Sequence, residues 1–109
     1  MIPKYTKHNR IKPKRSDIMN AAEKRHADRI ASMPCLVCGS RQVHVHHVKD
    51  GPGGRRDHRH IAPLCPDHHL HGKDAVHRIS RADFNELIGF DLLEWCKEQW
   101  KISEDMEDE

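Results

Sequence analysis

Apolar positions are sparse along this chain and fall into a few short periodic groups. Met19, Ala22, His26 and Ile30 recur at three- and four-residue steps across residues 17–32, which predicts a helix with a thin packing stripe. Ser16 or Asp17 can cap it, Asn20 followed by Glu23 offers a second start, and Pro34 ends it. From Gln42 to Val48 the period drops to two: Val43 and Val45 alternate with polar residues, and Val48 follows a histidine pair. That pattern predicts a short strand ending on His46-His47, whose side chains point to opposite sides. Residues 50–54 (Asp-Gly-Pro-Gly-Gly) are a loop by composition. His60 to Leu64 predicts a second strand, and Pro66 stands near the start of a helix bearing His68 and His69. Ser80 with Asp83 can cap a helix carrying Phe84, Leu87 and Ile88, which Gly89 stops. Asp91 with Glu94 can cap the last one, with Leu92, Leu93, Cys96 and Trp100 on one face. The expected class is α+β, with one ordered unit over residues 17–101, a basic disordered arm over 1–16 and an acidic disordered tail over 102–109.

Composition sharpens this picture. Of 109 residues, 33% are charged and only 36% hydrophobic, so the ordered core is of the size that calls for a staple. Disulfides are one such staple, but Met1 to Arg15 is basic with no apolar run and does not resemble a secretory signal. No apolar stretch approaches membrane-spanning length. The expectation is a cytoplasmic protein whose cysteines hold metal. The net charge of +2 conceals an asymmetry: residues 1–59 carry far more Lys and Arg than acids, and residues 60–109 the reverse. A basic half of this kind suits a polyanion, nucleic acid above all. Lys12, Lys14 and Arg15 in the arm, and Arg55, Arg56 and Arg59 in the glycine-rich loop, are the candidate phosphate contacts.

The cysteines and histidines between residues 35 and 77 carry the chemistry. Cys35-x-x-Cys38-Gly39 has the spacing of a zinc knuckle, and Cys65-Pro66-Asp67-His68 repeats it with imidazole in place of the last sulfur. Three cysteines and one histidine make a closed tetrahedral set with no position for substrate, so this zinc is assigned to folding. Cys96 lies outside both half-sites on an apolar face and is expected to be inert. Trp95 and Trp100 are read as packing residues rather than base-stacking platforms. His26 is read as a packing or surface residue, and His44 and His58 as surface or phosphate-facing ones.

A zinc knuckle, a strand ending in His-His, a basic loop, the Pro63-Leu64-Cys65-Pro66-x-His68-His69 run and Val76-His77 together resemble the HNH endonucleases, whose core is the ββα-metal or His-Me finger. The surrounding text is similar to phage-associated HNH proteins related to the recombination-enhancement nuclease Ref. The resemblance spans roughly residues 20–100. It implies a metal-dependent DNA endonuclease in which His47 is the general base. His46 and His69 would hold a catalytic divalent ion such as Mg2+ or Mn2+, with zinc at the structural site. His60 stands where the family most often has Asn, either as a brace or as a titrating group. His77 is either a third ligand to the catalytic ion or a hydrogen-bonding residue of its turn. His68 takes the place of the family's usual fourth cysteine. The resemblance also implies a bacterial or phage-encoded protein, DNA as partner, and possible action on a recombinase–DNA filament. The rival readings are a non-catalytic zinc module that binds nucleic acid, and a zinc ribbon for protein interaction. Retention of His46, His47 and His69 favours the enzyme.

Overall fold

In a computed structural model, residues 18–50 and 56–107 are described. Lys12, Lys14, Arg15 and Arg55, the proposed basic arm and the Ser16/Asp17 cap lie outside the described residues.

The first helix, α1 (Ala21–Ala31), starts at the second of its two predicted caps. The Asn20 side chain accepts from the Glu23 N–H at 2.8 Å while the Glu23 carboxylate accepts from the Asn20 N–H at 2.9 Å, a reciprocal capping box. Its packing stripe is narrow, with only His26 and Ile30 buried. Two four-residue strands follow, β1 (His44–His47) and β2 (Ile61–Leu64), paired antiparallel with His46 opposite Ala62 and His47 opposite Ile61. Both are shorter than the periodicity predicts, although the Val48 N–H still donates to the His60 carbonyl one step beyond the paired residues. β2 carries Pro63, tolerable in a two-stranded sheet where each strand has a free edge. The predicted helix bearing His68 and His69 is a single π-helical turn, Asp67–His71, starting after Pro66.

The last two helices follow their predicted signals. α2 (Arg81–Ile88) is capped by the Ser80 hydroxyl accepting from the Asp83 N–H and closed by Gly89. In α3 (Leu92–Glu107) the Asp91 carboxylate accepts from the Glu94 N–H. The core gathers Cys35, Val48, Ala62, Leu64, Cys65, Phe84, Leu92 and Cys96, so β2 is buried along its whole length and the cysteine half-sites sit at the core's margin. Cys96 is buried in this core, as its apolar face predicts; burial pushes its thiol up to about 12, and its Sγ donates to the Ile61 carbonyl.

One expectation is corrected. The acidic segment from residue 102 is not a disordered tail as far as Glu107; it is the last part of α3. Ser103 is buried against α1, and Arg25 reaches Glu107 at 2.7 Å, so long-range contacts hold a stretch whose charge alone suggests solvation.

The α1–α3 contact turns on His26, which packs edge-on against Trp100 with ring centroids 5.0 Å apart. Its Nε2 lies 3.1 Å from the Arg59 carbonyl, which can only accept, so Nε2 carries the proton and Nδ1 accepts from the Ser103 hydroxyl at 2.6 Å. Arg29 completes the network by donating to Ser103 Oγ and to the Gln99 side chain and backbone. Burial lowers the His26 pKa, and the Arg29 charge adds to the effect, although the Arg59 carbonyl opposes it. A proton therefore binds the unfolded chain more readily. Stability is full above the unfolded value of about 6.5 and falls as pH drops below it towards the folded value. Chemical denaturation at stepped pH is expected to show a shallower acid loss in His26→Gln than in wild type; parallel curves would remove His26 from the account.

Candidate metal centres

The knuckle is built by local hydrogen bonds. The Gly39 N–H donates to the Cys35 carbonyl and the Cys35 N–H to the Ser40 carbonyl, both at 2.9 Å, and the Val37 N–H points at Cys35 Sγ at 3.4 Å. Gly39 adopts φ of 78°, which a side chain would oppose. The Leu36 N–H donates to the Pro63 carbonyl and fixes the knuckle against β2, whose end delivers Cys65. Cys35 Sγ lies 3.7 Å from His68 Nδ1, Cys65 Sγ 3.2 Å from the same atom, and Cys38 Sγ 3.7 Å from Cys65 Sγ. A tetrahedron with zinc–sulfur bonds of about 2.3 Å and zinc–nitrogen bonds of about 2.0 Å has edges of roughly 3.5–3.8 Å. The four donors therefore stand close to ligand spacing, and the sulfurs are far too distant for a disulfide. Burial opposes ionisation of Cys35, but backbone N–H groups of Cys65, Cys38 and Val37 outweigh it and bring the thiol down to about 6. The group can hold a metal ion such as zinc.

The π-helical turn decides how two adjacent histidines serve two sites. The Gly72 N–H donates to the Asp67 carbonyl at 2.7 Å, five residues back, and a Cβ on Gly72 would meet that oxygen at 2.6 Å. Within this widened turn His68 goes to the thiols and His69 to a second group. The Val76 N–H donates to the His68 carbonyl at 2.8 Å, which lays the following turn alongside and brings His77 to His69.

That second group is His46, His69 and His77, whose ligand nitrogens all lie within 4.8 Å of one another. His69 Nε2 and His77 Nε2 are 3.0 Å apart, close to the separation of two nitrogens at right angles on an ion at about 2.1 Å. His46 makes edge contacts with both rings. Burial, then the neighbouring His69, His77 and His47 and the Arg81 guanidinium, lower His46 to about 3. Burial, His77 and His44 bring His69 to about 4. Both rings are thus neutral near pH 7, the state in which imidazole binds a cation. His77 thus lies within ligand spacing of His46 and His69, and within hydrogen-bonding distance of His69.

No protein-family model matches this chain, and no curated protein matches it. No helix among the described residues is long and apolar enough to cross a membrane.

The remaining candidates divide. His47, half-buried on the opposite side of β1 from His46, is lowered to about 4 by burial, then by the Arg56 and His58 charges, with Asp57 opposing. His60 joins neither metal group; its carbonyl braces Val48, and its Nδ1 lies buried 3.6 Å from Asp57. Arg56 and Arg59 are both exposed, and Arg59 also makes a two-pronged pair with Asp57. Of the two residues assigned to the surface, His44 is exposed and His58 is buried. His44, on the same face of β1 as His46, sets its Nδ1 3.0 Å from His69 Nδ1, the nitrogen that does not face His77. Period-two alternation is a signal that could have found it. His58 is buried and its Nδ1 lies 3.0 Å from His47 Nε2; nothing in the sequence pattern marks that contact.

Proposed function

We propose that this chain is a metal-dependent HNH-type endonuclease that nicks or cuts DNA, with His47 as general base and a divalent ion such as Mg2+ or Mn2+ held by His46, His69 and His77. The observation that carries the reading is the convergence of three imidazoles from β1, the π-helical turn and the turn beyond it, beside a further imidazole one residue along the same strand. A structural or purely binding zinc module has no use for this second donor set. Three ligands from the protein leave coordination positions open, unlike the closed site of Cys35, Cys38, Cys65 and His68, which is read as structural zinc in a small ββα-metal finger. When bound at the three histidines, a divalent ion neutralises charge on the phosphoryl oxygens and eases departure of the 3′ oxygen.

The chain's own groups supply the rest. His47 accepts the proton of the attacking water, which requires it to be neutral before reaction. The Arg56 guanidinium near His47 and that of Arg81 near His46 bring positive charge to the phosphate. Arg81 is held in place by donating to the Lys49 carbonyl at 2.8 Å, just past the end of β1. His60 acts as a brace through its backbone.

Supercoiled plasmid incubated with the purified protein and Mn2+ or Mg2+ is expected to become relaxed or linear. A chelator should stop the reaction, and resupplied ion should restore it. DNA retarded on a gel but never cut with any divalent ion would instead establish the non-catalytic nucleic-acid-binding module.

A further inference from the structure

We infer that His58 is a positioning residue for His47, holding its ring through Nε2 so that Nδ1 faces the water. The inference rests on the nuclease reading above and deepens it. The two rings meet with centroids 5.2 Å apart at 73°, and His58 Nδ1 lies 3.0 Å from His47 Nε2. His58 is 6% exposed, and its Nε2 is buried without a hydrogen-bond partner among the described residues. Burying an imidazole desolvates two nitrogens, and here the contact with His47 compensates only one of them. An apolar ring would fill the same space at lower cost, so the contact with His47 is what a histidine adds at this position.

The direction of the hydrogen bond follows from what a base must do. A neutral imidazole has one N–H and one lone pair. If His58 donated, His47 would carry its proton on Nδ1 and its lone pair would be engaged with His58, leaving nothing to accept a proton from water. If His47 Nε2–H donates, the lone pair is on Nδ1, which has no hydrogen-bond partner among the described residues. Fixing a catalytic ring through its far nitrogen sets both tautomer and orientation.

The test combines nitrogen NMR of the histidine rings with steady-state cleavage, using wild type, His58→Phe and His58→Asn. The asparagine amide oxygen occupies about the place of Nδ1 and keeps an acceptor for His47. His47 is expected as the Nε2–H tautomer in wild type and His58→Asn, and as a mixture in His58→Phe. For cleavage, kcat is expected to fall about tenfold or more in His58→Phe, within the roughly 10²–10⁴-fold that general-base assistance supplies. KM and the Mn2+ dependence should stay unchanged, and His58→Asn should recover most of the rate. A purely structural role for His58 predicts instead that both variants lose rate in step with their thermal stability. A Nδ1–H tautomer of His47, or a His58→Phe protein cutting at the wild-type rate, overturns the inference while a cutting wild type keeps the nuclease reading. A wild type that never cuts sinks that reading and the inference with it, whatever the tautomer.

Discussion

Replacing both Cys35 and Cys65 by serine is expected to leave the protein unfolded near room temperature, and stripping the wild type with a strong thiol-competing chelator should do the same. The magnitudes decide this. The sheet is two strands of four residues each, and such a pair is marginal without further support. The core packed on it is small and includes the buried Cys35 and Cys65 themselves. A domain of this size is stable by about 5–15 kcal/mol at most, whereas a structural zinc in a small module binds with an apparent 10–16 kcal/mol or so near pH 7. Loss of the ion therefore removes as much as the whole folding free energy. The effect propagates, because the knuckle is hydrogen-bonded to the Pro63 carbonyl of β2 and His68 belongs to the π-helical turn that also carries His69. Circular dichroism together with metal content after gel filtration reads both consequences. A double variant that keeps the wild-type spectrum and melting temperature without zinc would remove the structural role from this site.

Cleavage by His47→Ala is expected to fall by about 10²–10⁴-fold and to stay low however much Mn2+ is added. His46→Ala and His69→Ala should also lose activity at low ion, yet recover part of the rate as Mn2+ rises. A missing ligand weakens a binding equilibrium, which mass action can offset; a missing base removes a proton acceptor, which no concentration of ion replaces. His44→Ala is expected to resemble a mild form of His69→Ala, with the ion dependence shifted by about 10–100-fold, because His44 meets the outer nitrogen of His69 and so orients it. All of these variants should keep the fold, since their side chains lie outside the hydrophobic core. Cleavage measured across one metal titration separates the roles. Rescue of His47→Ala but not of His46→Ala would exchange the two assignments, and wild-type rates throughout would end the nuclease proposal.

Local order along the chain determined the α+β class, the caps at Asn20, Ser80 and Asp91, and the membership of the cysteine site. The caps and each half of the cysteine site depend on residues a few positions apart, where a turn or a helix start leaves little conformational choice, and the repeated spacing of the two halves marks them as partners. The His46, His69 and His77 group was also legible, although only through the resemblance to a known family, since its members come from three separate segments. Tertiary structure alone decided the rest. The acidic end of α3 is ordered because Ser103, Gln99 and Glu107 find partners on α1, seventy or more residues away in the chain. His58 meets His47 for the same kind of reason: the stretch leading into β2 sets it beside β1, a contact no spacing encodes. Periodicity reports which face a side chain occupies on its own element. Which distant group it then meets depends on how the elements pack, and that is a property of the folded chain.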